Sequence, residues 1–224
     1  MITNPHDALF KGVFGQPEHA RGTLREIVPA ALGDALDWPS LRLQPGSFVD
    51  PVLNERHTDL LYSVTWRTAG AEPAYLLFEH QSTPPAQDPM ALRMLRYQLR
   101  TWERWRGDQP KARALPMILP IVLYHGATPW PEPRSFEGLL DVPASVLPAA
   151  RPHVVCFRYL LHDLSTISDD ELRAGTTRTA LAKLVAMSFK HAGAARLSSR
   201  SCAGGWTWCA RWPARRTDWT RWSR

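Results

Sequence analysis

Residues 58–81 constrain this chain more than any other stretch. Thr58–Trp66 alternates with a period of two. Leu60, Tyr62, Val64 and Trp66 fall on one face, and Asp59, Leu61, Ser63 and Thr65 on the other. A glycine-containing turn over Thr68–Pro73 leads into a second extended run, Ala74–Gln81, so the two segments are expected to form a hairpin. The second run is apolar through Tyr75-Leu76-Leu77-Phe78 and then changes character at Glu79-His80-Gln81. Residues two apart on a strand share a face, so Glu79 and Gln81 point the same way, and pairing across the hairpin would bring Asp59 beside them.

The segments around the hairpin set an order of elements. Residues 6–36 read as helical: Leu9, Phe10, Val13 and Phe14 recur at helix spacing, followed by Leu24, Ile27, Val28, Ala31 and Leu32. Asn4-Pro5 suits the helix entry, and Pro17 and Pro29 should divide or kink the region. Pro39 is expected to open an extended segment over Leu41–Val49. After the hairpin, Met90–Arg106 reads as a long helix. Its expected apolar face is Leu92, Leu95, Leu99 and Trp102, beside a basic stripe of Arg93, Arg96, Arg100 and Arg104. A buried strand follows at Met117–Tyr124. A Pro-rich loop (Thr128–Arg134), a strand at Val154–Leu161 and a helix from Ser168 to about Lys190 complete the body, the last opening with a capping box at Ser168-Asp169-Asp170-Glu171. The order through residue 126 is helix, three strands, helix, strand.

Two carboxylates at a strand edge, Asp59 and Glu79, offer hard oxygen ligands to magnesium, and the carbonyl of His80 could add another. Bound metal polarises a phosphodiester and lowers the pKa of an attacking water. Gln81 can hold such a water by hydrogen bonding but carries no positive charge. Asp7 and Lys11, one helical turn apart, could add an acid and a phosphate contact, or form a surface pair. Glu55 could flank the metal or ion-pair with its surroundings. Arg93, Arg96 and Arg100 could grip phosphates or form a solvated face. His57, His80 and His125 lack zinc-site spacing.

Charge does not settle the partner. The net charge of +6 lies in residues 196–224, which hold seven arginines and one acid, Asp218; the rest carries 20 basic and 20 acidic residues. The same tail holds five of the ten tryptophans and two of the three cysteines, Cys202 and Cys209, and no helical or strand period organises its tryptophans. Read in another frame, each TGG codon becomes Leu, Met or Val, so a frameshift between about His191 and Arg200 is expected. A genuine Trp/Arg-rich tail that binds nucleic acid or membrane is the alternative. The cysteines make no Cys-x-x-Cys motif and suggest neither a zinc ribbon nor a disulfide framework. No apolar run is long enough to span a membrane, and the N-terminus lacks the features of a signal peptide, so a cytoplasmic protein is expected.

Several stretches resemble the recombination-promoting nuclease family, also called YhgA-like transposases. They are His6-Asp7-Ala8-Leu9-Phe10-Lys11, Ser47-Phe48-Val49-Asp50, Glu55-Arg56-His57-Thr58-Asp59-Leu60-Leu61-Tyr62, Leu76-Leu77-Phe78-Glu79-His80-Gln81-Ser82, Leu95-Arg96-Tyr97, Trp102-Glu103 and Leu119-Pro120-Ile121-Val122-Leu123-Tyr124-His125-Gly126. The resemblance runs from about residue 5 to about residue 192. It implies an α/β fold of the PD-(D/E)XK restriction-endonuclease type, a mixed central sheet flanked by helices, with a nuclease core over 1–126, a helical extension of the same domain over 127–192 and the aberrant tail over 193–224. It also implies a role in DNA recombination and mobile DNA, with Asp59 as the second-motif acid and Glu79-x-Gln81 in place of the usual acid-x-lysine. The family continues with a helical C-terminal region, and this chain departs from it in its tail.

The expected function is a magnesium-dependent endonuclease that hydrolyses DNA without a covalent protein–DNA intermediate. Asp59, Glu79 and Gln81 would be catalytic, with Asp59, Glu79 and His80 on the metal. Arg93, Arg96, Arg100 and Lys11 would lie on DNA, and Asp7 and Glu55 would support the site. DNA is the expected partner, no membrane is involved, and homodimer formation is left open. The alternatives are a decayed, non-catalytic module that still binds DNA or protein, and a poorly folding pseudogene product.

Overall fold

A computed structural model describes residues 5–45, 59–68, 70–84 and 87–201, with backbone only for Asp59 and residues 193–201. The helical start is divided at both prolines, into α1 (Pro5–Phe14), α2 (Pro17–Ile27) and α3 (Ala30–Gly33). Pro17 stands in the first turn of α2 and Pro29 caps α3, where a missing N–H costs no helical hydrogen bond.

Five strands follow: β1 (Leu36–Leu43), β2 (Asp59–Trp66), β3 (Ala74–Gln81), β4 (Ile118–Tyr124) and β5 (Leu160–Asp163). They lie in one sheet in the order β1-β2-β3-β4-β5. β1 with β2 and β2 with β3 are antiparallel; β3 with β4 and β4 with β5 are parallel. The long helix α4 (Met90–Asp108) makes the crossover between β3 and β4. The result is a mixed sheet with helices on both faces.

Alternation along the strands divides the core. Leu60, Tyr62, Val64, Leu76 and Phe78 join Phe10 and Phe14 of α1, Leu24 of α2 and Phe189 of the last helix. Leu61, Tyr75, Leu77 and Val122 face the other way, onto Met90, Met94, Tyr97 and Trp105 of α4. Among the described residues no helix is long and apolar enough to cross a membrane.

Four expectations need correction. β1 begins at Leu36, before Pro39; its pairing with β2 shifts between Asp37 and Arg42, and an edge strand with such an irregularity accommodates a residue that cannot donate. The buried face of α4 is Met90, Met94, Tyr97, Thr101 and Trp105, with Arg93 among them, whereas Leu92 and Leu99 are 39% and 48% exposed. The buried face is apolar through methionine and aromatic rather than leucine side chains, and Arg93 lies within it, paired with Glu79. The last strand is Leu160–Asp163, where it reaches register with Ile121–Tyr124, while Val155 is exposed. The helix expected from Ser168 to Lys190 is two helices, α6 (Asp169–Ala174) and α7 (Ala180–Ser201). Its capping box is present, with Ser168 Oγ accepting from the Glu171 N–H at 3.2 Å and the Glu171 carboxylate accepting from the Ser168 N–H at 2.7 Å.

The break between α6 and α7 docks on α2. Thr177 Oγ1 lies 2.8 Å from the Gly22 carbonyl and 2.7 Å from Glu26 Oε1, and Arg178 Nε lies 2.6 Å from Glu26 Oε2. The approach requires glycine at position 22: a Cβ there would lie 2.0 Å from the Thr177 carbonyl oxygen. Gly22→Ala should therefore lose about 1–3 kcal/mol in urea denaturation despite alanine's better helix propensity. A neutral or stabilising result would show that the two backbones separate at little cost.

Arg178 also places Nη2 3.0 Å from His162 Nε2 on β5. Burial, and then the neighbouring Arg178 charge, push the His162 pKa down to about 3. Histidine in the unfolded chain titrates near 6.5. The folded chain thus resists a proton that the unfolded chain accepts, so this contribution is complete above about pH 6.5 and is lost as pH falls toward 3. The limiting slope is about 1.4 kcal/mol per pH unit, an upper bound because His162 keeps some solvent contact. His162→Gln should flatten the decline of thermal stability between pH 6.5 and 4. An unchanged decline would assign the acid sensitivity to other groups.

Candidate active site

The site grows out of the last three residues of β3. Glu79 and Gln81 lie on the α4 side, and His80 faces α1 and α7, as alternation requires. Both Glu79 and His80 are buried.

On the α4 side, Arg93 closes the arrangement from the first turn of the helix. Its Nη2 lies 3.1 Å from Glu79 Oε1 and donates to Gln81 Oε1 at 2.6 Å. It also lies 3.4 Å from Met90 Sδ. The Glu79 and Arg93 side chains are only 1% and 4% exposed, so the ion pair is withdrawn from water. The Gln81 amide nitrogen donates to the Thr83 carbonyl. An amide accepts twice and donates twice, so these contacts use half its capacity.

Register puts Asp59 directly across from Glu79 in the antiparallel pair. The backbone thus juxtaposes the two acids that the sequence singled out. Glu132, from the Pro-rich loop, joins the same side. It accepts from the Met90 N–H at 2.9 Å, capping the N-terminus of α4. Desolvation raises its pKa, while the Met90 bond and the Arg93 charge pull the other way. Sequence reasoning missed Glu132; its only signal was an acid between two prolines.

The opposite side carries a chain of polar contacts. His80 Nδ1 lies 2.9 Å from Asp7 Oδ1, His80 Nε2 lies 2.8 Å from His125 Nε2, and His125 Nδ1 donates to the Phe189 carbonyl at 3.2 Å. The rings of His80, His125, Phe10 and Phe189 stack around it at centroid distances of 4.7–5.0 Å. Asp7 of α1 therefore reaches His80, whose ring nitrogens are engaged on this side of the sheet, away from Glu79.

The remaining residues singled out from sequence are dispersed. Lys11 is exposed on α1. Arg96 makes a bidentate pair with Asp88 at 2.9 and 3.1 Å, and Arg100 pairs with Glu103 at 3.1 Å. Arg93 is interior and does not belong to that exposed stripe. Glu55 and the tail from residue 202 lie outside the described residues. Among the described residues no group of three or more His, Cys, Asp or Glu side chains is arranged to hold a metal ion.

The sequence that forms this fold matches a known family. The profile of the family described as "Putative transposase, YhgA-like" matches residues 4–201, and the chain belongs to that family. It is similar to the recombination-promoting nuclease RpnD of Escherichia coli O157:H7, 34% identical over 184 residues covering 82% of this chain and 67% of the relative. It is 40% identical to the recombination-promoting nuclease RpnC of Escherichia coli (strain K12) over 133 residues, 58% of this chain and 42% of the relative. The inactive recombination-promoting nuclease-like protein RpnE of the same strain is 33% identical over 171 residues, 76% of this chain and 54% of the relative. The chain thus spans from under half to about two thirds of these relatives' length. No solved structure matches.

Proposed function

We propose that this chain is a magnesium-dependent DNA endonuclease of the PD-(D/E)XK type, acting at the end of the β2–β3 hairpin. The observation that carries this reading is the pairing of Asp59 with Glu79 on one rung, beside the Gln81–Arg93 contact, in a chain similar to named nucleases. The donor set suits the metal: two carboxylates and a carbonyl are hard oxygen ligands. Asp59, Glu79 and the His80 carbonyl would hold magnesium, which supplies Lewis-acid charge for a phosphodiester and eases deprotonation of water.

The chain's own groups then position the reaction. The remaining hydrogen-bonding capacity of Gln81 orients the attacking water, and β3 and β4 keep that position rigid. Lys11, Arg96 and Arg100 would contact DNA phosphates through the charge left over after their acidic neighbours. Asp7 supports the site from behind by fixing His80, and Glu55 is assigned a supporting role at the metal. A cytoplasmic location fits a DNA substrate.

A second reading, a decayed module that binds DNA without cutting it, is favoured by two observations. Glu79 is engaged by Arg93 in a buried pair, and two relatives are named inactive. Supercoiled plasmid incubated with the protein and magnesium separates the two. Nicking that disappears with EDTA, and falls about a hundredfold or more in Asp59→Asn, is the expected result. A folded protein that binds the plasmid and leaves it intact would establish the decayed module.

A further inference from the structure

The site as read from sequence lacks a positive charge, because position 81 holds an amide. The structure shows a cation at that place from another element. Arg93, in the first turn of α4, brings one nitrogen to 3.1 Å from Glu79 Oε1 and 2.6 Å from Gln81 Oε1. One guanidinium nitrogen thus joins the two β3 side chains, and Met90 Sδ and the apolar residues around it hold it in a dry setting. There a charge acts at far higher strength than on the exposed face. Its immediate neighbours, Arg96 and Arg100, are turned outward onto Asp88 and Glu103.

We propose that Arg93 is a positioning residue of the candidate active site, supplying from α4 the positive charge that a lysine at position 81 would supply from β3. It sets the orientation of Glu79 and of the Gln81 amide and adds positive potential where negative charge develops on a phosphate. This inference rests on the nuclease reading for its catalytic meaning; the equivalence of the two positions is testable without it.

The test uses Arg93→Met, Gln81→Lys and the double variant in the full chain. Two quantities are read: melting temperature, and plasmid cleavage in magnesium. Alone, Gln81→Lys removes the amide oxygen that accepts from Arg93 and sets an amine against its guanidinium, so it should lower the melting temperature. In the Arg93→Met background the same change should raise it, because the new amine faces a Glu79 that has lost its partner. Cleavage should fall about a hundredfold in Arg93→Met and return to within about tenfold of wild type in the double variant. The rescued protein should also lose activity at alkaline pH as the introduced amine deprotonates, a limb that an arginine does not give. A merely structural arginine would produce no such limb.

Absence of the reversal in melting temperature overturns the equivalence whatever the cleavage result. If wild type cleaves and Arg93→Met cleaves within about threefold of it, the catalytic role is overturned. A wild-type chain that folds and cuts nothing strikes the nuclease reading, while the reversal, if seen, still supports the equivalence of the two positions.

Discussion

Glu79→Ala is expected to lose about 3–5 kcal/mol of folding stability, because it leaves the Arg93 guanidinium buried without its carboxylate. Arg93→Met should cost a similar amount by stranding the carboxylate. Losses of that size are a large fraction of the stability of an ordinary domain. The double variant Glu79→Leu, Arg93→Met should recover most of the loss, since well-packed apolar groups often replace a buried ion pair without penalty. Urea denaturation of the four proteins measures the coupling as a double-mutant cycle. Additive losses would mean that water or other groups solvate each charge separately, and the site would then be much wetter than the side-chain exposures of 1% and 4% indicate.

His80→Ala should be nearly as damaging, at about 3–5 kcal/mol. The change empties a ring-sized space between Phe10, His125 and Phe189, and it strips partners from Asp7 and His125. The Phe189 carbonyl only accepts, so His125 Nδ1 carries a hydrogen. His80→Phe, which fills the space but makes no hydrogen bonds, should recover the packing and leave a residual loss of about 1–3 kcal/mol. Urea denaturation of both variants checks this; full recovery in His80→Phe would show that the ring stack alone holds this side of the sheet.

Much of the core was legible because alternation and turn chemistry are local. Thr58–Trp66 and Ala74–Gln81 are strands in the structure as β2 and β3, and the split of Glu79 and Gln81 from His80 follows from a period of two. The prolines at 17 and 29 mark their boundaries for a reason internal to the backbone. What failed was decided by partners distant in sequence. Leucine hydrophobicity pointed α4 the wrong way because its other face buries Met90, Met94, Tyr97 and Trp105 against the sheet, with Arg93 among them beside Glu79. The break between α6 and α7 is fixed by Gly22 and Glu26, some 150 residues away along the chain. Asp7, His80 and Phe189 come from three separate elements and His125 from the loop after β4, so no spacing rule could have grouped them. Glu132 sat in a loop whose composition announced only irregular backbone.

The reliance of the His80 cluster on Phe189 has a consequence for synthesis. A chain made from its N-terminus exposes α1, the hairpin, α4 and β4 to water well before residue 189 is translated. During that interval the α4 side can assemble its acids and Arg93, while the side built from Phe10, His80 and His125 still waits for its cover. The nascent chain would thus display an aromatic and imidazole surface with no protein over it, a natural landing place for a chaperone and a point of vulnerability to aggregation. Ribosome-bound chains ending before and after α7 would differ sharply in protease resistance, with the change falling as Phe189 leaves the exit tunnel rather than as the strands themselves emerge.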